Sequence, residues 1–273
     1  GRATSTWPPR GADVLLVPDW LEERIKAGLL EVQEYVRLLQ QVGRALVTRP
    51  YYGRDIVEQF DTIGAGSLAV VLLTGLFTGA VLALQSGFTL DQFGARSEVG
   101  RLVGASMVKE LGPVLTALMV SGRVGSGIAA ELGSMMVTEQ ISALRALGTD
   151  PVRKLVVPRI LAGVIMVPVL TTISIGIGMV GAWLVTTGQL RVASSVYWNS
   201  VWAGLYVQDV YMGLIKPFLL GFVIVSVGCH VGLRTTGGTQ GVGRATTRAV
   251  VASSVGVLAV NFFVTKLLIW LLY

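Results

Sequence analysis

Charge, cysteine and histidine are what this sequence has least of. Only 14% of its 273 residues are Asp, Glu, Lys or Arg, against about 25% in an ordinary globular domain. So little charge cannot keep a water-soluble surface of this size solvated, which points to a membrane protein. A single cysteine, Cys229, and a single histidine, His230, exclude a disulfide framework and a His/Cys metal cluster. The glycine-rich runs Gly122–Gly127 and Gly237–Gly243 lack a following Gly-Lys-Ser/Thr and a strand-to-helix context, so neither a P-loop nor a dinucleotide-binding turn is present. The chain therefore carries no cofactor of its own, and any ATP chemistry must belong to another chain. Apolar residues are abundant at 52%, with a mean hydropathy of +0.68. The net charge of +6 reads as basic loops on the cytoplasmic side of a membrane, so no nucleic-acid partner is expected.

A membrane span needs about 20 mostly apolar residues. Five stretches qualify: Gly64–Thr89, Leu102–Ser121, Leu155–Thr187, Tyr211–Leu233 and Val250–Tyr273. Gly122–Val137 either extends the second span or is re-entrant. With the connection after the second span counted through Arg159, sixteen Lys and Arg residues lie on one side and three on the other. Because cytoplasmic loops collect positive charge, the N-terminus is expected in the cytoplasm and Tyr273 outside. Before the first span, Val32, Val36, Leu39, Gly43 and Leu46 share one face of Leu29–Val47, the spacing of an amphipathic helix lying in the membrane interface. Residues 1–28 read as a flexible N-terminal extension without the apolar core of a signal peptide, and residues 29–273 as one polytopic unit. The expected fold is an all-α integral membrane protein of about five spans.

Polar residues inside the spans are few. Lys109 and Glu110 fall about 12 Å down the second span from Arg101, and Pro113 follows within a turn. Charges at that depth either pair between helices or line a cavity. Lys216 in the fourth span and Lys266 in the fifth read as lysines that snorkel, with Lys216 alternatively facing the same cavity. Asn261 is placed to hydrogen-bond a neighbouring helix. Gly122–Gly127, Gly75–Gly79 and Gly176–Gly181 read as close-packing faces.

Between the second and third spans Thr138 is placed to cap a short helix, Glu139–Leu147, on which Ile141, Leu144 and Leu147 form an apolar stripe. Gly148 ends it, and Asp150 caps the next helix with Pro151 at its first position. A short helix bounded in this way and held between two spans is a surface for a soluble partner.

Over the text KELGPVLTALMVSGRVGSGIAAELGSMMVTEQISALRALGTDPVRKLVVPR, with TTGGTQGVGRATTRAVV as a second block, the chain resembles the MlaE/YrbE-type permeases of bacterial MCE lipid-transport systems and their plastid relatives. The resemblance runs from about Leu29 to the C-terminus. It implies a multi-pass permease of the bacterial inner membrane that works as a homodimer. Cytoplasmic ABC ATPase subunits would carry the ATP, and a ring of MCE-domain proteins would stand outside. Phospholipids would move between the inner membrane and the outer envelope. It also implies that Lys109, Glu110 and Lys216 line the lipid cavity, and that the Glu139–Leu147 helix grips the ATPase through Glu139, Gln140, Leu144, Arg145 and Asp150. The family usually carries Arg at the position of Lys109 and often an acid at that of Asn261. The alternatives are an ion-coupled secondary transporter, for which Glu110 would be the proton-carrying acid, and a membrane-embedded enzyme built on His230 and Cys229.

Overall fold

The computed structural model describes residues 19–48 and 52–272, and all regular structure in them is helical. An N-terminal helix, α1 (Asp19–Val47), precedes α2 (Gly53–Asp91) and α3 (Arg96–Val137). A short helix, α4 (Gln140–Ala146), leads to α5 (Val152–Gly188). Then come a second short helix, α6 (Ser194–Gly204), and the hairpin of α7 (Val207–Leu233) and α8 (Gly238–Leu272). Helices α2, α3, α5, α7 and α8 are long and apolar enough to cross a membrane. This is the expected number of spans, each helix running past the expected bounds at one or both ends. The open question about Gly122–Val137 closes: α3 continues through it without re-entering. Tyr273 and residues 1–18 lie outside the described residues, as do Arg49 and Pro50 beyond the end of α1.

The centre of the bundle is the crossing of α2 on α5. A Cβ at Gly79 would fall on the carbonyl of Gly178, and one at Gly181 on the carbonyl of Leu76. Only glycine lets two backbones approach so closely, and without water as a driving force such contact is what holds membrane helices together. The close-packing expectation holds for Gly75, Gly79, Gly178 and Gly181. It fails for Gly122, Gly127 and Gly176, whose Cβ positions meet nothing within 4 Å; of the Gly122–Gly127 run only Gly125 packs, against α7 and α8.

Helix α1 begins at Asp19, earlier than expected, and lies on its neighbours by a different face. Leu38, Val42 and Ala45 are buried, while Val32 and Val36 are exposed. The apolar stripe read from the sequence therefore points mainly away from the protein, and a second stripe beside it packs inward. Tyr35 hydrogen-bonds Ser226 of α7 at 2.7 Å. Arg234 pairs with Glu34, and Arg248 with Glu31 at 2.6 Å. Helix α6, not expected from the sequence, caps the start of α3: the Arg101 N–H donates to Ser200 Oγ at 3.0 Å, and the buried Tyr197 donates its hydroxyl to the Met179 carbonyl at 2.9 Å.

A charged cluster between α3, α7 and α8

The candidate site is built around a defect in α3. Met107–Leu111 forms a π-helical turn, a local widening that recurs at functional sites. Pro113 follows, with no N–H to offer the carbonyl of Lys109 four residues earlier. That carbonyl accepts instead from the Lys216 ammonium, 2.7 Å away. The same ammonium donates to Glu110 Oε1 at 2.6 Å. Lys216 has no exposed side-chain surface, so it does not snorkel. Its charge is taken up by a backbone acceptor that a proline left open and by a carboxylate from the same turn.

Glu110 is held from a third helix as well. Asn261 Nδ2 donates to Oε2 at 3.1 Å and Thr265 Oγ1 to Oε1 at 3.2 Å, both from α8. Asn261 thus makes the interhelical bond expected of it. Neighbouring side chains on a helix diverge, and Lys109 turns the other way, to Asp209 Oδ1 at 2.7 Å. Asp209 is fully buried and also accepts from the Tyr206 N–H at 3.2 Å, closing a capping box at the start of α7. The sequence reading missed Asp209 because it began the fourth span at Tyr211 and left the acid in a loop. The available signal was an acid in the first turn, seven residues before an intramembrane lysine. Thr265 was missed too, although it stands one turn from Asn261 on the same face.

Lys109, Glu110 and Lys216 are thus brought together, but on three different terms. Glu110, 41% exposed on its side chain, opens on a cavity of about 450 Å³ walled by Phe262 and Ile269. Lys109, 34% exposed and turned to Asp209, does not line this cavity, and Lys216 sits behind Glu110 as its support. Lys266, expected only to snorkel, lines the cavity beside Glu110. The cavity lies in the half of the bundle far from α4.

At the other end, α4 departs from the expected capping. Thr138 donates its hydroxyl back to the Ser134 carbonyl at 2.8 Å rather than to α4. Glu139 takes the N-cap position in left-handed backbone at φ 58°, a conformation that costs a non-glycine residue about 1 kcal/mol or more. The far end follows the expectation: Thr149 N–H bonds the Leu144 carbonyl and Gly148 N–H the Arg145 carbonyl, each at 3.0 Å, with Gly148 at φ 74°. These two bonds close a Schellman motif. Asp150 Oδ1 accepts from Val152 N–H at 3.0 Å, so Asp150 caps α5 as read. The expected apolar stripe is graded rather than continuous: Ile141 is buried, Leu144 half-buried, and Leu147 is 80% exposed. Ile141 anchors the helix, while Gln140 and Arg145 face outward with Leu147.

Comparison with known proteins agrees with this architecture. The family described as Permease MlaE matches residues 56–267. A probable ABC transporter permease protein of Rickettsia bellii is 43% identical over 85% of this chain and 93% of its own length. A probable ABC transporter permease protein of Synechocystis is 38% identical over 93% of this chain and 92% of its own. The intermembrane phospholipid transport system permease protein MlaE of Haemophilus influenzae is 37% identical over 87% of this chain and 94% of its own.

Proposed function

This chain belongs to the MlaE permease family, and from that premise we propose that it is the membrane-spanning subunit of an ABC transporter that moves phospholipids between the inner membrane and the outer envelope. The observation that carries the reading is the cavity at Glu110. It joins a cluster of opposite charges to apolar walls inside a five-span bundle, the lining an amphiphile with a charged headgroup and acyl chains requires. Lys266 supplies the positive charge on the cavity wall, while Lys109 is turned away to Asp209. Lys216 serves by holding Glu110 in place. Only 11% of the residues in the most apolar stretch of α8 are buried, and a second copy of the chain packed on the outer half of this helix, over Phe262 and Ile269, would close the cavity. The ion-coupled alternative has less support, because the Glu110 carboxylate already accepts from Lys216, Asn261 and Thr265 instead of standing free as a proton carrier.

A photoreactive amino acid placed at position 262 or 266, both on the cavity wall, tests the substrate. Both should form phospholipid adducts well above those from position 77 on the exposed flank of α2, where Phe77 is 62% exposed, and excess lipid should compete them away. Equal labelling at all three positions would mean bulk-lipid contact and would refute the cavity.

In this reading ATP is hydrolysed on separate cytoplasmic ATPase subunits, which seat α4 in a groove, and MCE-domain proteins receive or deliver lipid on the opposite side. The N-terminus and α4 are then cytoplasmic. Leu144→Asp sets a charge against the apolar seat of α4, costing about 1–3 kcal/mol in binding where the charge cannot reach water, while the buried Ile141 still anchors the helix. Inside-out vesicles carrying the native chain should capture the ATPase, and those carrying Leu144→Asp should lose roughly ten- to a hundredfold in affinity. Full capture by the variant, or by vesicles of the other orientation, would contradict the assignment.

A further inference from the structure

A second polar cavity lies at the opposite end of the bundle from Glu110, where α1 rests on the α7–α8 hairpin. It measures about 840 Å³. His230 forms part of its wall; the residue is 93% buried, and its Nε2 has no hydrogen-bond partner among the described residues. Arg234 and Arg248 also line it, each engaged by one acid of α1. Arg244 is the third arginine; it is exposed and forms no salt bridge among the described residues. Three arginines against two glutamates leave an excess of hydrogen-bond donors and of positive charge.

A neighbouring open groove, lined by α8 alone, shares Arg244 and Arg248 and continues along the helix past Val251 and Ala252. Beyond it Val255 and Leu258 are exposed at 61% and 53%. The arginine pair therefore stands at the junction of a polar chamber and an apolar strip. Counting about 20 residues for the hydrocarbon core from Val207 and from Leu272 reaches Val227 and Ala252. His230 and the three arginines thus lie at the headgroup level of the leaflet on the α4 side.

We propose that this junction is a second lipid site, taking the phosphate of an anionic glycerophospholipid from the leaflet on the α4 side, with the acyl chains laid along α8. The phosphate accepts from Arg244 and Arg248, and from His230 in its Nε2–H tautomer; charge-assisted bonds to a phosphate are the strong class of hydrogen bond, and arginine suits them by its fork of donors. A free phosphate offers the same chemistry but leaves the apolar strip uncovered, whereas a lipid fills the chamber and covers the strip. The inference rests on the permease reading and extends it: one chain then holds lipid at two heights, with α1 clamped over the inner site by Glu31 and Glu34.

The full-length chain in detergent, incubated with a photoreactive phosphatidylglycerol, tests the site, with adducts mapped by peptide mass spectrometry. Adducts are expected on the segment 231–252. The double variant Arg244→Gln/Arg248→Gln should reduce them by about ten- to a hundredfold. His230→Phe, which keeps a ring against Tyr35, should reduce them less, and Arg244→Lys should keep a substantial share. Inorganic phosphate at the same concentration should compete poorly. Adducts that survive both the double variant and His230→Phe would overturn the proposal, as would full competition by inorganic phosphate, which would make this a soluble-anion site. Loss of adducts on dimerisation of the native chain would also overturn it, by making the strip an interface between copies. Labelling near Glu110 reports separately: its presence without labelling of 231–252 would sink this site and leave the permease reading standing, and its absence would count against that reading.

Discussion

Glu110→Ala is expected to destabilise the chain by about 3 kcal/mol, because it leaves the ammonium of Lys216 buried without a carboxylate. Breaking a buried ion pair from one side costs about 3–5 kcal/mol, and the lower end applies because the Glu110 side chain stays 41% exposed. Lys216 has no exposed surface and would keep only the Lys109 carbonyl as an acceptor. Adding Lys216→Met removes the stranded charge and should recover most of the loss, since an apolar replacement of similar volume commonly matches a buried pair. Glu110→Gln, which retains one acceptor oxygen for Lys216 and Thr265 but sets an NH2 against Asn261 Nδ2, should fall between the two. Unfolding transitions in a fixed detergent rank the four proteins. A single variant as stable as the native chain, or a double variant less stable than the single, would show that the pair does not hold this end of the bundle. Transport would fall in the single variant for a structural reason, so the stability ranking has to accompany any activity measurement.

Gly79→Val should be at least as damaging, by a different route. The new Cβ would land on the carbonyl of Gly178, and a backbone carbonyl cannot swing aside as a side-chain end does. Helices α2 and α5 must separate along the crossing where Gly75 and Gly181 also make backbone contact. Overpacking costs about 1–3 kcal/mol and sometimes more, and the upper part of that range is expected here because several contacts open together. Gly176→Val on α5 is the control. It meets nothing within 4 Å and should stay within about 0.5 kcal/mol of the native chain, as exposed substitutions usually do. Equal losses for the two variants would mean that glycine acts through helix propensity and not through the crossing.

The two glycine positions show where reading a sequence stops. Gly75, Gly79, Gly176, Gly178 and Gly181 look alike as small residues in apolar runs, yet Gly176 alone among them faces open space. Which face of a helix meets a partner depends on the rotation of that helix, and rotation is settled by all its neighbours at once. The same applies to α1. Its periodicity announced an amphipathic helix, but two apolar stripes lie side by side on it, and packing took Leu38, Val42 and Ala45 in place of the stripe through Val32 and Val36.

Charge pairing divides in a similar way. That Lys109, Glu110 and Lys216 lie within spans was legible because a charge in an apolar run of span length stands out against the cost of burying it. That Glu110 belongs to Lys216 and Lys109 to Asp209 was not, because each bond joins residues about a hundred positions apart. At the start of α4 the local rule for Thr138 failed because the hydroxyl had a nearer acceptor in the turn behind it. At its end Gly148 and at the start of α5 Asp150 behaved as read, since their partners lie within a few residues.

What the sequence determined alone, then, is whatever follows from local composition and period: five apolar spans, the positive charge gathered in alternate connections, the helix stop at Gly148, the cap at Asp150 and the presence of charges inside the apolar spans. Tertiary structure decided the rest: the α2–α5 crossing, the buried seat of Lys216, the entry of Asp209, Asn261 and Thr265 into the cluster, and the two cavities at opposite ends of α8. The physical reason is the range of the forces. Hydropathy and capping act within a turn or a span, whereas contact and ion pairing act over a few ångströms between segments whose distance in space no local pattern encodes.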